Sequence, residues 1–291
     1  MKFNYSSLLS TATILSLFVL TACDKEKETL TATDSKDISE EAVLDAYYQD
    51  MDDLAAVAIN SPTEDEFTGG RSAGTIIIED SRVGCESVVI AIEPGANSTP
   101  GDPYGVLTID FGTAGCADAR GNVRKGKLIF AYDGLRFQPG STVTTTTDNY
   151  SINRVRLEGS RVSTNITAGE TGALKFNVVL TGGRATFLDN KVAEREADIT
   201  WLWVRAENPA QDRVIILTNS TAGGVTREGR TYSVSLREQL EYERFCGMPV
   251  SGIKDYIIDG EKKITLDFGD GACDTALSVT IDGVTYPITI G

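Results

Sequence analysis

The chain has 291 residues, 41% hydrophobic and 24% charged, with a formal net charge of −15 and no histidine. That length and composition suit one large globular domain or two smaller ones. The missing histidine removes Ser-His-Asp and Cys-His catalysis, HExxH zinc sites and histidine pH switches, and no basic stripe exists to release counterions from a nucleic acid.

Residues 1–4 carry one lysine, and residues 8–20 form a mostly apolar run. The run is shorter than the roughly 20 residues a bilayer-spanning helix needs and has the length of a secretory h-region. It closes on Leu20-Thr21-Ala22-Cys23, which resembles a lipobox, where bacterial lipoproteins receive diacylglycerol on the cysteine. Residues 1–22 are therefore expected to be a lipoprotein signal peptide, with lipid on Cys23 anchoring the chain to a membrane. Residues 23–36, opening with Asp24-Lys25-Glu26-Lys27-Glu28, read as a flexible acidic tether reaching roughly 20 Å. The charges after the cysteine resemble the surface-export signal of Bacteroidota lipoproteins. That resemblance implies an outer-membrane lipoprotein displayed at the cell surface.

Asp37-Ile38-Ser39-Glu40 has the form of a capping box. Val43, Leu44, Tyr47, Met51, Leu54, Ala55 and Ala58 then recur at helical spacing, which predicts an amphipathic helix over 37–61 ended by Ser61-Pro62. Its apolar stripe is expected to dock on the rest of the chain. The acidity is concentrated here: residues 24–66 hold 14 acidic and three basic side chains, so the remaining body is only mildly negative.

From Gly74 the period changes to two. Residues 75–79, 87–92, 106–111, 127–132, 143–147, 154–157, 174–180, 199–204, 214–218, 232–236, 264–268, 277–281 and 285–290 are rich in Val, Ile, Thr and aromatics and bounded by turn residues. Asp282-Gly283 between the last two runs is a two-residue hairpin signal. The predicted fold class is all-β, an antiparallel sandwich or barrel-like body of many short strands behind one amphipathic helix.

Two stretches repeat. Cys85 and a strand lead to Leu107-Thr108-Ile109-Asp110-Phe111-Gly112 and then Cys116; Cys246 and a strand lead to Ile264-Thr265-Leu266-Asp267-Phe268-Gly269 and then Cys273. This suggests a first β unit over 70–168 and a second over 169–291, or one continuous body carrying a repeat. If the units fold alike, each closes its own disulfide, Cys85–Cys116 and Cys246–Cys273, in an oxidising compartment.

The runs DFGTAGCADARGNVRKGKLIFAY at 110–132, RLEGSR at 156–161, CGMPVSG at 246–252 and LDFGDGACD at 266–274 together resemble an uncharacterised family of lipoproteins of Bacteroidota. The resemblance implies a β-rich exported protein and assigns no activity, cofactor or functional residue.

Candidate sites are few. Asp110-Phe111-Gly112 and Asp267-Phe268-Gly269 spell the kinase metal-binding tripeptide without its Gly-rich loop or His-Arg-Asp loop. Asp267, Asp270 and Asp274 cluster as a calcium candidate, against the alternative that they cap their own Gly-rich turns. Trp201 and Trp203 share one strand face with Ile199, either as core or as a stacking platform for sugar rings. Glu194, Glu196 and Asp198 alternate along one strand and so aim the same way, whereas a glycosidase needs opposed carboxylates. The expectation is a lipid-anchored envelope protein without catalysis or cofactor, acting by binding a glycan or an envelope protein. The alternatives are a carbohydrate-active enzyme using carboxylates alone and a purely structural envelope protein.

Overall fold

A computed structural model describes residues 28–60, 74–75, 80–99, 101–168, 173–207, 211–243, 246, 248–274 and 276–289. The expected signal peptide, Cys23, the first part of the tether, the Ser61-Pro62 stop and 76–79 of the first expected strand lie outside the described residues.

The helix α1 spans Ala32–Asn60, beginning five residues before the expected start. Its cap is Thr31, not Asp37. The Asp34 amide donates to Thr31 Oγ1 at 3.1 Å, and Asp34 Oδ2 accepts from the Thr31 amide at 2.9 Å, a reciprocal capping box. The segment expected as tether over 23–36 is thus helical from Ala32. Hydrophobic spacing missed this turn because its inward positions are acidic: Asp34 and Asp37 are buried, followed at helical intervals by Ile38, Glu41, Leu44, Tyr48, Met51, Ala55 and Ala58. The stripe runs through Tyr48 rather than Tyr47, and Val43 points outward at 42% exposure.

Seventeen strands, all in antiparallel pairs, form one sheet among the described residues. They are β1 (Gly74–Thr75), β2 (Val89–Pro94), β3 (Tyr104–Asp110), β4 (Cys116–Ala117), β5 (Val123–Asp133), β6 (Thr142–Ile152), β7 (Val155–Asn165), β8 (Leu174–Thr186) and β9 (Val192–Val204). There follow β10 (Arg213–Ile216), β11 (Thr221–Val225), β12 (Thr231–Leu236), β13 (Leu240–Glu243), β14 (Ser251–Ile258), β15 (Lys262–Asp270), β16 (Ala276–Ile281) and β17 (Val284–Thr289). The path is a meander in which β10 and β11 both pair with β9, and β12 and β13 both pair with β14. Strands β5 to β9 run 11–13 residues, so the central strands are long rather than short. The unforeseen β11 reads Thr-Ala-Gly-Gly-Val and β14 places Lys254 and Asp255 among its buried residues, which hid both from a search for apolar alternation. At 282–283 the hairpin turn is as expected, with φ of 47° and 76° and Ile281 opposite Val284.

The helix runs along β9. Near its start Lys36 shares Glu228 with Lys191, one residue before β9; midway Glu41 meets Arg195; near its end Ala55 and Trp201 line one cavity. Yet α1 is also reached by Arg124 of β5 and Lys262 of β15. These strands stand eight spacings apart in the meander, about 38 Å if the sheet were flat, while a helix with side chains is about 10–12 Å wide. The sheet therefore curls around α1. One apolar cluster joins the helix to Leu107, Ile109, Leu128, Phe130, Tyr256, Ile264 and Leu266 of its inner face.

The sheet crosses the expected unit boundary without a break, because β7 pairs with β8 from Arg156–Thr186 to Asn165–Phe176. Among the described residues both halves share that one sheet, and the cysteine-bearing motif recurs in each. Both disulfides, Cys85–Cys116 and Cys246–Cys273, are present. In each copy the motif's aspartate accepts from an amide two residues on, Gly112 to Asp110 at 2.8 Å and Gly269 to Asp267 at 2.9 Å. The Asp-Phe-Gly tripeptide is thus an Asx turn, which ends β3 in the first copy and lies within β15, where its pairing with β14 shifts register, in the second.

Candidate functional site

The uneven charge of the sequence is resolved by docking. Asp34 pairs with Arg230 and Lys262, Glu40 with Arg227, Glu41 with Arg195 and Lys254, Asp45 with Arg195, Asp50 with Arg82 and Arg124, and Asp52 with Arg161. The negative charge of the helix is largely held against cations of the sheet and its turns. Burial alone would raise the Glu41 carboxyl, but Lys254 and Arg195 overcome it and bring it down to about 2. Arg82, Arg124, Arg161, Arg195, Arg227, Arg230, Lys254 and Lys262 are thus engaged by carboxylates of the helix.

Beyond the last of these pairs, a cavity opens at the C-terminal end of α1. Its lining includes Asp52, Asp53, Arg136, Asn165, Phe176 and Trp201, with hydroxyls from Ser141, Thr142, Thr145 and Ser163. Trp201 of β9 and Phe176 of β8 are cross-strand partners stacked at 4.6 Å and 20°, Phe176 buried and Trp201 half-buried. Two residues on, the half-buried Trp203 donates from Nε1 to Asp212 Oδ2 at 3.0 Å and lies 5.8 Å from the ring of Phe137, itself 47% exposed. Arg136 and Arg205 flank the two rings at 5.4 and 5.8 Å. The two indoles are thus neither full core nor a bare platform: Trp201 lines the cavity, and Trp203 sits two residues on with the exposed Phe137 and Arg205.

The cleft's electrostatics are mixed. Asp52 Oδ2 accepts from Arg161 Nε at 2.7 Å, yet burial outweighs that guanidinium and pushes the Asp52 carboxyl up. Burial likewise holds the Arg136 guanidinium below its ordinary value, against the pull of Asp53 and Asp52. The enclosed part admits the centres of water-sized molecules over only about 60 Å³, space for a few waters rather than a whole sugar ring. A ligand would lie over the mouth and send an edge inward. Asp52 and Asp53 are successive residues of one helix, about 100° apart around its axis, and so do not form the opposed pair a glycosidase uses.

The remaining candidates resolve into structure. Asp267 Oδ1 and Asp274 Oδ1 each accept from an amide two residues on, at 2.9 Å, so two of the three calcium candidates are engaged in capping turns. Glu194, Glu196 and Asp198 lie on the outer, exposed face, where Glu196 accepts from the Gly182 amide and Asp198 from Asn177. Sequence reasoning missed Asp52, Asp53, Arg136, Phe137 and Phe176. The only signal was the Asp52-Asp53 pair beside the apolar stripe of a helix otherwise read as a docking element.

No family model, no curated protein and no solved structure matches this chain.

Proposed function

We propose that this protein is a lipid-anchored component of the cell envelope, resembling the Bacteroidota lipoproteins named above, that works by binding rather than catalysis. Its ligand is a glycan or another polar ring compound, seated at the cleft at the C-terminal end of α1. The observation that carries the reading is a pair of aromatic contacts at alternate positions of β9: Phe176 with Trp201 in the cavity that Arg136, Asp52 and Asp53 also line, and Phe137 with Trp203 two residues on. Aromatic faces stack on the apolar faces of sugar rings, while carboxylate and guanidinium groups take their hydroxyls. The lipobox-like Leu20–Cys23 supports the anchor, and an exported chain agrees with two disulfides.

The test is a glycan array followed by calorimetry on the chain from Asp24 onward and on its Trp203→Ala and Phe137→Ala variants, whose rings are partly exposed. A bound glycan whose affinity falls at least tenfold in either variant, with unchanged thermal stability, supports the reading. Equal binding by all three proteins places the ligand elsewhere. Turnover of a polysaccharide that Asp53→Asn abolishes would replace binding with catalysis.

A further inference from the structure

The structure fixes where the chain enters the body. The Glu28 amide donates to Asp282 Oδ2 at 2.8 Å, and Lys262 Nζ donates to the Thr29 carbonyl at 2.7 Å. The entry point is thus the tip of the β16–β17 hairpin, beside the first turn of α1. From Glu28 back to Cys23 is five residues, which fully extended reach about 17 Å. A lipid on Cys23 would therefore hold this end of the body close to the bilayer.

The same end gathers other hairpin tips. The turn between β8 and β9 carries Leu188, which at 70% is the most exposed large hydrophobic residue described. Beside it Phe187 is capped by the Arg227 guanidinium at 4.3 Å from the ring centroid. Arg227 also binds Asp189 of the same turn and Glu40 of α1, each at 2.8 Å. Lys191 and Lys36 share Glu228, and both remain 47% exposed. Leu188 is consequently held out from the body on a hairpin that is tied to the helix.

We propose that this rim of hairpin tips around the N-terminal end of α1 is the face that rests on the phospholipid bilayer. Leu188 enters the interfacial region, and Lys36 and Lys191 meet headgroup phosphates. This rests on the lipid anchor at Cys23. The chemistry is that of interfacial seating: an exposed apolar side chain gains by leaving water, and flanking cations stay at headgroup level. The chain length outside the described residues leaves this end little freedom to stand off. A functional consequence follows from the helix. Asp53 lies 19 residues beyond Asp34, about 28 Å along the axis, so the aromatic cleft is presented away from the membrane.

The test uses the full lipidated chain in phosphatidylcholine vesicles, some of them carrying brominated acyl chains as quencher. An environment-sensitive fluorophore is placed at Leu188→Cys or, at the opposite end, at Gln138→Cys; both sites are exposed, so both variants are expected to fold. The expected result is at least twofold quenching of the label at 188 and none at 138. Flotation of the same samples separates the two ideas. If the protein fails to float with vesicles, the anchor is wrong and the seating falls with it. If it floats and the label at 188 is unquenched, or both labels are quenched alike, the orientation alone is overturned.

Discussion

Glu41 of α1 and Arg195 of β9 face each other at 2.5 Å with each side chain only 3% exposed, and the other Glu41 oxygen accepts from Lys254 at 2.7 Å. One carboxylate thus holds two cations from different strands of the sheet onto the helix. Removing it leaves both cations buried without that partner, which costs more than the pair itself contributes.

Glu41→Gln is accordingly expected to lower the unfolding free energy by about 3–5 kcal/mol. Lys36→Ala breaks a pair with Glu228 whose side chains are 47% and 25% exposed, and is expected to leave it nearly unchanged because solvent screens such a pair. Urea unfolding of the two variants measures the contrast. Similar losses would mean that the helix is held by its apolar face alone.

The same lattice sets the response to pH. Glu41 and Asp118 lie at about 2, and Asp34 lies well below its ordinary value; in each, pairing overcomes burial. A carboxyl whose folded pKa is below its unfolded one stabilises above the unfolded value, near 4, and that stability fades as pH falls toward the folded value. Burial shifts Asp52 upward and pushes Asp53 up to about 6, and both oppose the trend. At the alkaline end burial raises Tyr48 and Tyr232 to about 12. A raised tyrosine stabilises below its unfolded value, near 10, and loses that contribution as pH climbs toward 12. Melting temperature is expected to be flat between about pH 7 and 9, to rise slightly as pH falls through 6 and Asp53 takes up its proton, and to fall below about pH 4 and above about pH 10. A protein that gains stability between pH 4.5 and 3 would contradict this account.

The two disulfides are expected to contribute unequally. They close loops of similar length, with separations of 31 and 27 residues, so loop entropy alone would give each roughly 3 kcal/mol. Cys116 is fully buried in the apolar cluster, with Cys85 packed against it, whereas Cys246 is half-buried and Cys273 exposed. Replacing Cys85 and Cys116 by Ser therefore adds the cost of a buried polar group and is expected to lower the melting temperature further than the same change at Cys246 and Cys273. Differential scanning calorimetry of the two double variants decides it.

The parts legible in the sequence were those written in local chemistry. Asp282-Gly283 gave its hairpin, the paired Asp-Phe-Gly motifs gave both disulfides, and period-two runs such as 174–180 and 264–268 gave strands. What escaped was the helix–sheet interface. Asp34, Asp37 and Glu41 are inward positions occupied by charge, and inward charge looks like outward charge until its partners are known. Those partners, such as Arg195 and Lys254, lie more than 150 residues away, with nothing local to join them. The aromatic cleft escaped for the same reason: Asp52, Arg136, Phe176 and Trp201 are distant in sequence and meet only because the sheet curls.

The last prediction concerns Gly126, where the β5–β6 ladder shifts register between Lys125 and Lys127. Its carbonyl accepts from the Phe111 amide at 2.9 Å and its amide donates to the Gly112 carbonyl at 3.0 Å, so it pins the first Asp-Phe-Gly turn to β5. Its φ is +77°, and a Cβ there would stand 2.2 Å from the backbone oxygen of Asn149. Gly121, in the turn before β5, has φ of +84°, and a Cβ there would meet nothing within 4 Å. Gly121→Ala meets only the left-handed backbone penalty, about 1–2 kcal/mol. Gly126→Ala meets that and a clash with main chain that cannot rotate aside, so β6 must shift or the bulge must open. Gly126→Ala is expected to destabilise by at least about 2 kcal/mol more than Gly121→Ala, since strain in a packed element adds to backbone strain. Urea unfolding of the two alanine variants gives the difference directly. Equal destabilisation would show that the bulge at Gly126 yields freely and does not hold the turn.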